Sequence, residues 1–262
     1  GGAERVFSRV TTDSRHIQAG DLFVALKGEH FDGHAFAEHA IAQGAAAVMV
    51  ASSAHCVASP AIVVEDTRLA LGQLAAYWRS LHAQTPIVAV TGSNGKTSVK
   101  EMLHSILSEA VGSECVWATQ GNFNNDIGMP LTLLALKAQH RYAVLEMGMN
   151  HAGEIAYLTQ LAKPNAALVN NAGAAHLEFL GTVEGVAKAK GEIFLGLDPT
   201  GVAIWNQKDA YAGVWRALAQ PYRQLCFGDE NADVWASGLV LNPLTSFFIL
   251  HTPQGEAKIQ LK

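Results

Sequence analysis

The sequence predicts an α/β protein with two domains, a small α/β domain over residues 1–83 and a larger domain with a mainly parallel sheet over residues 84–262. Short apolar runs rich in β-branched residues alternate with stretches whose apolar residues recur at helical spacing. Parallel strands need helical crossovers between them, so this alternation is typical of a parallel sheet. A polar stretch that ends in proline, residues 82–86, is predicted to be the linker.

The first domain is predicted to contain three strands and two helices. The strands are expected at residues 22–26, 45–50 and 62–64. The first helix is expected over residues 35–43, because Gly44 follows as a stop. The second helix is expected to begin at a cap supplied by Asp66 or Thr67. Its predicted apolar face consists of Leu71, Leu74, Trp78 and Leu81.

Two polar clusters lie beside the strands of this first domain. They are Thr12-Asp13-Ser14-Arg15 and Phe31-Asp32-Gly33-His34. Composition alone favours a turn over a binding site in each case, because Asp and Ser side chains readily bond to nearby backbone N–H groups.

The second domain is predicted to alternate strands with helices. Its strands are expected at residues 87–90, 115–118, 142–147, 166–170 and 202–205. The helix after the first strand is expected to bury a stripe made of Val99, Leu103, Ile106 and Ala110. Further strands, with antiparallel pairing left open, are predicted at residues 223–227, 234–240, 247–251 and 258–261. Ligands of such sheets collect at the carboxyl ends of the strands, so the residues that follow each strand are candidate site residues.

The stretch after the first of these strands is typical of a phosphate-binding loop. It consists of Thr91, Gly92, Ser93, Asn94, Gly95, Lys96 and Thr97. Its glycines allow successive N–H groups to point at phosphate oxygens, and a helix opening at Thr97 aims its positive end at the same anion. Lys96 would neutralise the β- and γ-phosphates, and the Thr97 hydroxyl would bind Mg²⁺. The alternative is an ordinary strand-to-helix turn. The order of strand, glycines, lysine, threonine and helix favours a nucleotide site, with a spacing tighter than that of the common P-loop.

Glu146 is a carboxylate in an otherwise apolar strand. Desolvating it alone is expensive, so it must be paired, protonated or bound to metal. In a P-loop protein a carboxylate at a strand end usually faces the nucleotide's metal, and a salt-bridged edge residue is the alternative. Asn206 occupies the corresponding strand end after residues 202–205.

Lys190 lies on the inward stripe of a predicted helix. It follows Val183 by seven residues and Val186 by four, while Lys188 points away. A lysine on an inward face needs an anionic partner or a chemical modification, or else its pKa falls. The alternative is that its ammonium reaches the edge of the protein. His176 follows a strand in a loop of small residues, and a structural role and a ligand role are both open.

An asparagine-rich loop, residues 122–126, follows the second strand of the second domain. Its amide groups suit a sugar, a diphosphate or a peptide, and a plain surface turn is the alternative. The net charge of −5 and the absence of a Lys/Arg block argue against nucleic acid as a main partner. No apolar run approaches the ~20 residues that cross a bilayer, and no signal peptide is recognised. Cys56, Cys115 and Cys226 match no paired pattern, which indicates buried free thiols and a cytoplasmic location.

These motifs resemble the Mur ligases of peptidoglycan synthesis. The matching segments span almost the whole chain and are residues 12–15, 21–28, 31–34, 91–97, 121–128, 146–151, 170–178 and 187–194. The resemblance implies an ATP-driven amide ligation in which a carboxylate of UDP-MurNAc-tripeptide takes the γ-phosphate, and the amine of D-alanyl-D-alanine then displaces phosphate. The asparagine-rich loop favours this branch of the family over the tripeptide-forming branch, which usually has Thr-Thr-Pro there.

The resemblance also implies roles for individual residues. Thr91 to Thr97 and Asn206 would bind the nucleotide, with Lys96 also catalytic. Thr97 and Glu146 would hold one Mg²⁺, His176 a second, and a carbamylated Lys190 would position that second ion. Thr12, Asp13, Ser14 and Arg15 would face the UDP end of the substrate. His34, Asn122, Asn125 and Asp126 would line the rest of its path.

The family has three domains, and we expect the C-terminal Rossmann-like domain and the opening helix of the first domain to be missing from this chain. The 262 residues are therefore expected to bind the UDP precursor, to bind nucleotide weakly and not to turn over. A monomer is expected. The alternatives are a ligase that adds the third amino acid to UDP-MurNAc-dipeptide and a non-catalytic module that uses ATP as a conformational switch.

Overall fold

A computed structural model describes residues 5–29, 31–54 and 58–261 of the chain. Its strands, numbered in chain order, are β1 Arg9–Thr11, β2 Asp21–Val24, β3 Ala47–Ala51, β4 Ala61–Val64, β5 Ile87–Thr91, β6 Val116–Ala118, β7 Tyr142–Glu146, β8 Ala166–Val169, β9 Val202–Asn206, β10 Arg223–Gly228, β11 Val234–Leu241, β12 Ser246–Thr252 and β13 Gly255–Leu261. Its α-helices are α1 Ala37–Ala42, α2 Thr67–Leu81, α3 Lys96–Val111, α4 Gly128–Leu134, α5 Glu154–Ala162, α6 Leu177–Leu180, α7 Val183–Gly191 and α8 Ala212–Leu218. Short 3-10 turns are formed by Ser14–His16, Gly33–Phe36, Ser113–Cys115 and Glu192–Gly196.

The chain folds into two compact units. The first unit contains the described residues up to Ala83 together with Gln120–Ala138, and the second contains Gln84–Thr119 and the residues from Gln139 onward. The expected domain over residues 84–262 did not include this excursion of the chain back into the first unit. Because segment 120–138 follows the first strand and helix of the second unit, its sequence position gave no sign of where it packs.

The first unit is built on a parallel sheet in the order β1-β2-β3-β4. One face of this sheet packs Phe23, Val48 and Val50 against α1. The other face packs Leu22, Val24 and Met49 against Leu71 of α2 and against side chains of α4. Both faces are therefore buried, which explains the continuous apolar runs of its strands.

Helix α2 begins as predicted. The Asp66 carboxylate accepts hydrogen bonds from the N–H groups of Arg68 and Leu69, at 2.7 and 3.0 Å. Leu71 is fully buried, but Leu81 at the other end of the predicted face is 52% exposed. The sequence therefore predicted the start of the helix better than the extent of its buried stripe.

The second unit has a sheet in the order β13-β12-β11-β10-β9-β8-β5-β7-β6. From β6 to β11 neighbouring strands are parallel, and β11, β12 and β13 form antiparallel pairs. Antiparallel pairing, which the sequence left open for the last four segments, is found between β11, β12 and β13, whereas β10 is parallel to both of its neighbours. The chain leaves β5 on one side through β6 and β7 and on the other through β8, which creates a crevice at the carboxyl end of β5.

Helix α3 buries a different stripe from the predicted one. Val99, Leu103 and Leu107 pack against Val90, Ala118 and Val144, whereas Ile106 is 66% exposed and Ala110 is exposed. These partly buried residues follow strict four-residue spacing, and the prediction changed to three-residue spacing one turn too early.

The described residues contain no helix that is long and apolar enough to cross a membrane. Cys115 and Cys226 are free thiols and are half-buried, less than the sequence predicted. Cys56 lies outside the described residues.

Glycine substitutions test the packing of the second unit. A Cβ on Gly196 would lie 2.6 Å from the backbone nitrogen of Gln160 in α5, whereas a Cβ on Gly213 in α8 would meet nothing within 4 Å. We expect Gly196→Ala to lower the free energy of unfolding by about 1–3 kcal/mol, because the backbone must move. We expect Gly213→Ala to be neutral or to raise it by up to about 1 kcal/mol. Urea unfolding of both variants checks this, and equal effects would contradict it.

Candidate active site

The loop after β5 has the backbone of a phosphate-binding turn. Gly95, the residue before α3, lies in the left-handed region with φ of 77°, and an added Cβ would lie 2.9 Å from Asn170 Nδ2. A Cβ on Gly92 would lie 3.0 Å from Asn170 Cβ. The loop therefore needs glycine at Gly95 for its conformation and small residues at both positions for a close approach.

Two asparagines after β8 hold this loop. Asn171 Oδ1 accepts a hydrogen bond from Asn94 N at 2.9 Å, and the amides of Asn170 and Asn171 both donate to the Asn94 carbonyl. Ser93 N–H donates to the Asn171 carbonyl, and Ser93 Oγ accepts from Gly173 N at 2.8 Å. The predicted nucleotide-binding residues Ser93 and Asn94 are thus fixed by residues absent from the predicted site. The sequence feature that could have indicated them is the pair of asparagines at the end of an apolar strand.

Thr91 does not present its side chain to a ligand. Its hydroxyl is fully buried and donates to the Met147 carbonyl at 2.8 Å, which ties the end of β5 to the residue after β7. That Thr91 binds nucleotide stays a prediction, and its hydroxyl is already bonded within the fold. Lys96 is half-buried, and its ammonium donates to the Gly92 carbonyl at 2.7 Å, across the mouth of the loop.

Thr97 and Glu146 are brought together as the sequence predicted. The Thr97 hydroxyl donates to Glu146 Oε2 at 2.8 Å. Glu146 is 3% exposed at the end of β7, and Thr97 is exposed in the first turn of α3. The two oxygens face each other at the carboxyl edge of the sheet.

His176 precedes α6 with φ of 56°, and its side chain is exposed. Within residues 5–29, 31–54 and 58–261 no group of three or more His, Cys, Asp or Glu side chains is placed to hold a metal ion.

Lys190 is buried in α7, as its position on the inward stripe predicted. It is 2% exposed, which contradicts the alternative that its ammonium reaches the edge. Burial and the positive charge of nearby Lys96 lower the pKa of Lys190 to about 7. In the described part of the chain it has no ion pair, whereas Lys188 points outward and pairs with Glu184 at 2.7 Å.

Asn206 supports a turn after β9. Its Oδ1 accepts from Lys208 N at 3.0 Å. The same turn positions Asp209, whose carboxylate accepts from Ala172 N at 3.0 Å and from Tyr211 N at 2.9 Å. Asp209 therefore links the loops after β8 and β9, and the sequence analysis had not singled it out.

The first unit has its own cavity at the end of β1. Its volume is about 660 Å³, and it is lined by Thr12, Asp13, Ser14, Arg15, Phe31, Phe36 and Phe123. Arg15 donates to both carboxylate oxygens of Asp13, at 2.8 Å each, and these hydrogen bonds hold the pKa of Asp13 well below its usual range. The rings of Phe31 and Phe36 stack at 5.4 Å. The structure thus brings the predicted cluster 12–15 together with aromatic rings that the sequence analysis had not assigned.

His34 does not line that cavity. Its Nδ1 bonds to Asp32 at 2.6 Å and its Nε2 accepts from Ala51 N at 2.9 Å. Both ring nitrogens therefore have hydrogen-bond partners within the fold, and the contact of His34 with the substrate stays a prediction. His34 instead lines a second cavity of about 360 Å³ together with Lys27 and Arg68.

The asparagine-rich loop is partly structural. Asn125 Oδ1 accepts from the N–H groups of Ile127 and Gly128 at the start of α4. Asp126 forms an ion pair with Arg68, with Arg68 Nη2 donating to Oδ1 at 2.7 Å. The side chains of Asn125 and Asp126 therefore bond within the first unit, although Asn125, like Asn122, is exposed to solvent.

A parallel strand, a glycine turn, a helix that opens at Lys96 and a strand-end carboxylate bonded to Thr97 together define a P-loop domain of the mononucleotide-binding class. Residues 90–262 match the Mur ligase middle domain, and residues 6–79 match the Mur ligase family catalytic domain. The chain belongs to the Mur ligase family.

Its relatives include UDP-N-acetylmuramoyl-tripeptide--D-alanyl-D-alanine ligases. The Haemophilus influenzae protein is 46% identical over 97% of this chain and 55% of its own length. The Escherichia coli protein is 46% identical over 99% of this chain and 57% of its own length. The chain therefore spans about half the length of these curated relatives.

Solved structures agree with this assignment. A crystal structure of MurF from Acinetobacter baumannii has a TM-score of 0.91 and 44% identity, covering 97% of this chain and 55% of that one. MurF from Thermotoga maritima, in complex with ADP, has a TM-score of 0.87 and 30% identity, covering 100% of this chain and 60% of that one.

Replacing Lys190 tests its burial. Its pKa is lowered from 10.5 to about 7, so the folded state carries the full cost of the charge below about pH 7. Between about pH 7 and 10.5 the unfolded chain binds more protons, and wild-type stability rises with pH. We expect Lys190→Met to stabilise the chain by on the order of 4 kcal/mol at about pH 6.5, and by much less at about pH 9.5. Urea unfolding at both pH values checks this.

Lys188→Met is the matched control, because Lys188 lies on the exposed side of the same helix. It is expected to change the free energy of unfolding by less than about 0.5 kcal/mol at either pH. A gain for Lys190→Met that does not depend on pH would contradict the buried, partly neutral lysine.

Proposed function

We propose that the protein carrying this chain is an ATP-dependent ligase that joins D-alanyl-D-alanine to UDP-MurNAc-tripeptide in peptidoglycan synthesis. The observation that carries the proposal is the buried Lys190 beside Lys96, at the loop whose first helical turn bonds Glu146. This cluster has an excess of positive charge, which suits a site that collects phosphates and a carboxylate. The relatives that match almost the whole chain are named for this reaction.

ATP is the proposed phosphate donor. Gly92 and Gly95 shape the loop, α3 directs its N-terminus into it, and Lys96 lies across its mouth. Asn206 and Asp209 fix a neighbouring loop at the same sheet edge. The Thermotoga maritima relative was solved with ADP, which supports a nucleotide as the ligand.

Mg²⁺ is the proposed metal, and the residues present fit it. Thr97 Oγ1 and Glu146 Oε2 are hard oxygen donors 2.8 Å apart, of the kind Mg²⁺ prefers. Mg²⁺ would neutralise phosphate oxygens. His176 is proposed to face a second ion.

Lys190 is proposed to be carbamylated. A pKa near 7 leaves much of the amine neutral at physiological pH. A neutral amine can attack CO₂, forming an N–C bond and releasing a proton to solvent. The product is an anion, which replaces repulsion from Lys96 with attraction and gives the site a further oxygen ligand.

In the proposed reaction the substrate carboxylate attacks the γ-phosphorus, and ADP leaves with an acyl phosphate remaining. The amine of D-alanyl-D-alanine then attacks the acyl carbon, phosphate leaves, and the amine proton passes to solvent. Lys96 stabilises the charge on the transferred phosphoryl group. Because the backbone of the phosphate-binding loop is already fixed, the site does not need to reorganise during the phosphoryl transfer.

The UDP precursor is proposed to occupy the first unit. Thr12, Asp13, Ser14 and Arg15 line a cavity large enough for part of a nucleotide sugar. The Arg15 side chain is 80% exposed. Asn122 is proposed to contact the muramoyl peptide. In this proposal His34 and Asn125 hold backbone segments of the first unit in place through the hydrogen bonds that they accept.

The proposed location is the cytoplasm, as a monomer. The free thiols Cys115 and Cys226 suit a reducing compartment, and the net charge of −5 disfavours nucleic acid as a partner.

Precursor binding separates the possible substrates. We expect UDP-MurNAc-tripeptide to bind the 262-residue chain at least about tenfold more tightly than UDP-MurNAc-dipeptide, a difference of about 1.4 kcal/mol. Isothermal titration calorimetry measures both. Tighter binding of the dipeptide would favour a ligase that adds the third amino acid.

Turnover tests the catalytic role of Lys190. In the full-length protein that carries this chain, Lys190→Ala is expected to lower the rate of ADP release with all three substrates about 10²–10³-fold, because it removes the carbamate proposed to position the second Mg²⁺. Lys188→Ala is the control and is expected to keep the wild-type rate. An unchanged rate for Lys190→Ala would favour a non-catalytic switch.

A further inference from the structure

Helix α3 carries a buried lysine that the proposed chemistry does not use. Lys100 lies one turn after Lys96 and is 3% exposed. Its ammonium donates to the Thr119 carbonyl at 2.9 Å and pairs with Glu101 at 2.6 Å. Burying an ammonium is costly unless it is well bonded, so the contact with Thr119 ties α3 firmly to the end of β6.

Thr119 is the last residue before the chain leaves the second unit, and it is fully buried. Its N–H donates to the Val144 carbonyl at 3.0 Å. Its hydroxyl accepts a hydrogen bond from Glu146 N at 2.9 Å. One residue is therefore held by α3 through its carbonyl and holds β7 through its side chain.

The Thr119 hydroxyl replaces a missing strand partner. The pairing of β6 with β7 ends at Ala118 opposite Val144. Beyond that point β6 has no strand carbonyl that could accept a hydrogen bond from the Glu146 N–H. A buried N–H group without an acceptor is costly. The hydroxyl supplies the acceptor, so the backbone of Glu146 keeps its extended course to the last residue of the strand.

These contacts close a ring. Thr97 and Lys100 are three residues apart on one face of α3. Thr97 bonds the Glu146 carboxylate, Glu146 N–H bonds Thr119, and the Thr119 carbonyl bonds Lys100. The carboxylate is thus located both through its side chain and through its backbone.

We propose that Thr119, held by Lys100, is a positioning residue that sets the Glu146 carboxylate against Thr97 for a divalent cation on the nucleotide. The inference rests on the proposed function, because it concerns the metal-facing role of Glu146. Neither Thr119 nor Lys100 contacts the ligand in this proposal. Residues that orient a metal ligand from behind typically contribute about 10–100-fold to metal affinity.

The test measures the affinity of the full-length protein for ADP by calorimetry, with Mg²⁺ and with a chelator. Thr119→Val is expected to reduce the Mg²⁺-dependent gain in ADP affinity about tenfold and to leave the affinity in chelator unchanged. Thr119→Ser keeps the hydroxyl and is expected to keep the gain. Lys100→Met is expected to change the gain in the same direction, and it carries the test should Thr119→Val fail to fold.

Thr85→Val is the matched control. Thr85 is buried in the same unit, and its hydroxyl donates to the His140 carbonyl at 3.0 Å, at the opposite end of the sheet from the loop. It is expected to lower the melting temperature without changing the Mg²⁺-dependent gain. Equal losses of the gain in Thr85→Val and Thr119→Val would overturn the inference, because they would indicate a general loss of stability.

Two further results are distinguishable. A wild-type gain that survives in Thr119→Val and Lys100→Met overturns the positioning role and leaves the proposed function intact. A wild-type protein whose ADP affinity does not respond to Mg²⁺ overturns both.

Discussion

The hydrogen bond between Thr97 and Glu146 is the contact on which the candidate site depends. It joins the first turn of α3 to the end of β7, and it gives the almost wholly buried Glu146 carboxylate a hydrogen-bond donor. Around it the fold places Lys96 half-buried, Lys100 paired with Glu101, and Lys190 buried without an anionic partner in the described part of the chain. The local excess of positive charge is a cost to the folded state and a resource for binding anions.

The loop itself is held from outside. Asn170 and Asn171 clamp the backbone of Asn94, and the buried hydroxyl of Thr91 anchors the strand from which the loop departs. A loop that is already fixed loses little conformational entropy when a ligand arrives. Rigidity here comes from neutral amide and hydroxyl groups, so it adds no charge that would compete with phosphate.

The sequence was sufficient to predict the features that depend on residues close together in the chain. The loop at residues 91–97, the cap at Asp66 and the inward position of Lys190 each depend on residues a few positions apart. It failed where distant segments decide the outcome. Ile106 and Leu107 are similar side chains, and only the position of β5 and β7 decides which of them faces the sheet. Asn171 holds the phosphate-binding loop because β8 lies beside β5. The parallel pairing of β10 depends on the crossover through α8. The occupied nitrogens of His34 likewise depend on Ala51, a strand away.

The excursion of residues 120–138 into the first unit has a consequence for how the chain is made. Ile127, Leu131 and Leu134 pack on the face of the first sheet that carries Leu22 and Val24, where Leu71 of α2 also packs. A ribosome therefore releases β5 and α3 of the second unit before the first unit has all of its core. The two units cannot mature one after the other, and a gene cut at residue 83 would encode a sheet with one face left partly bare.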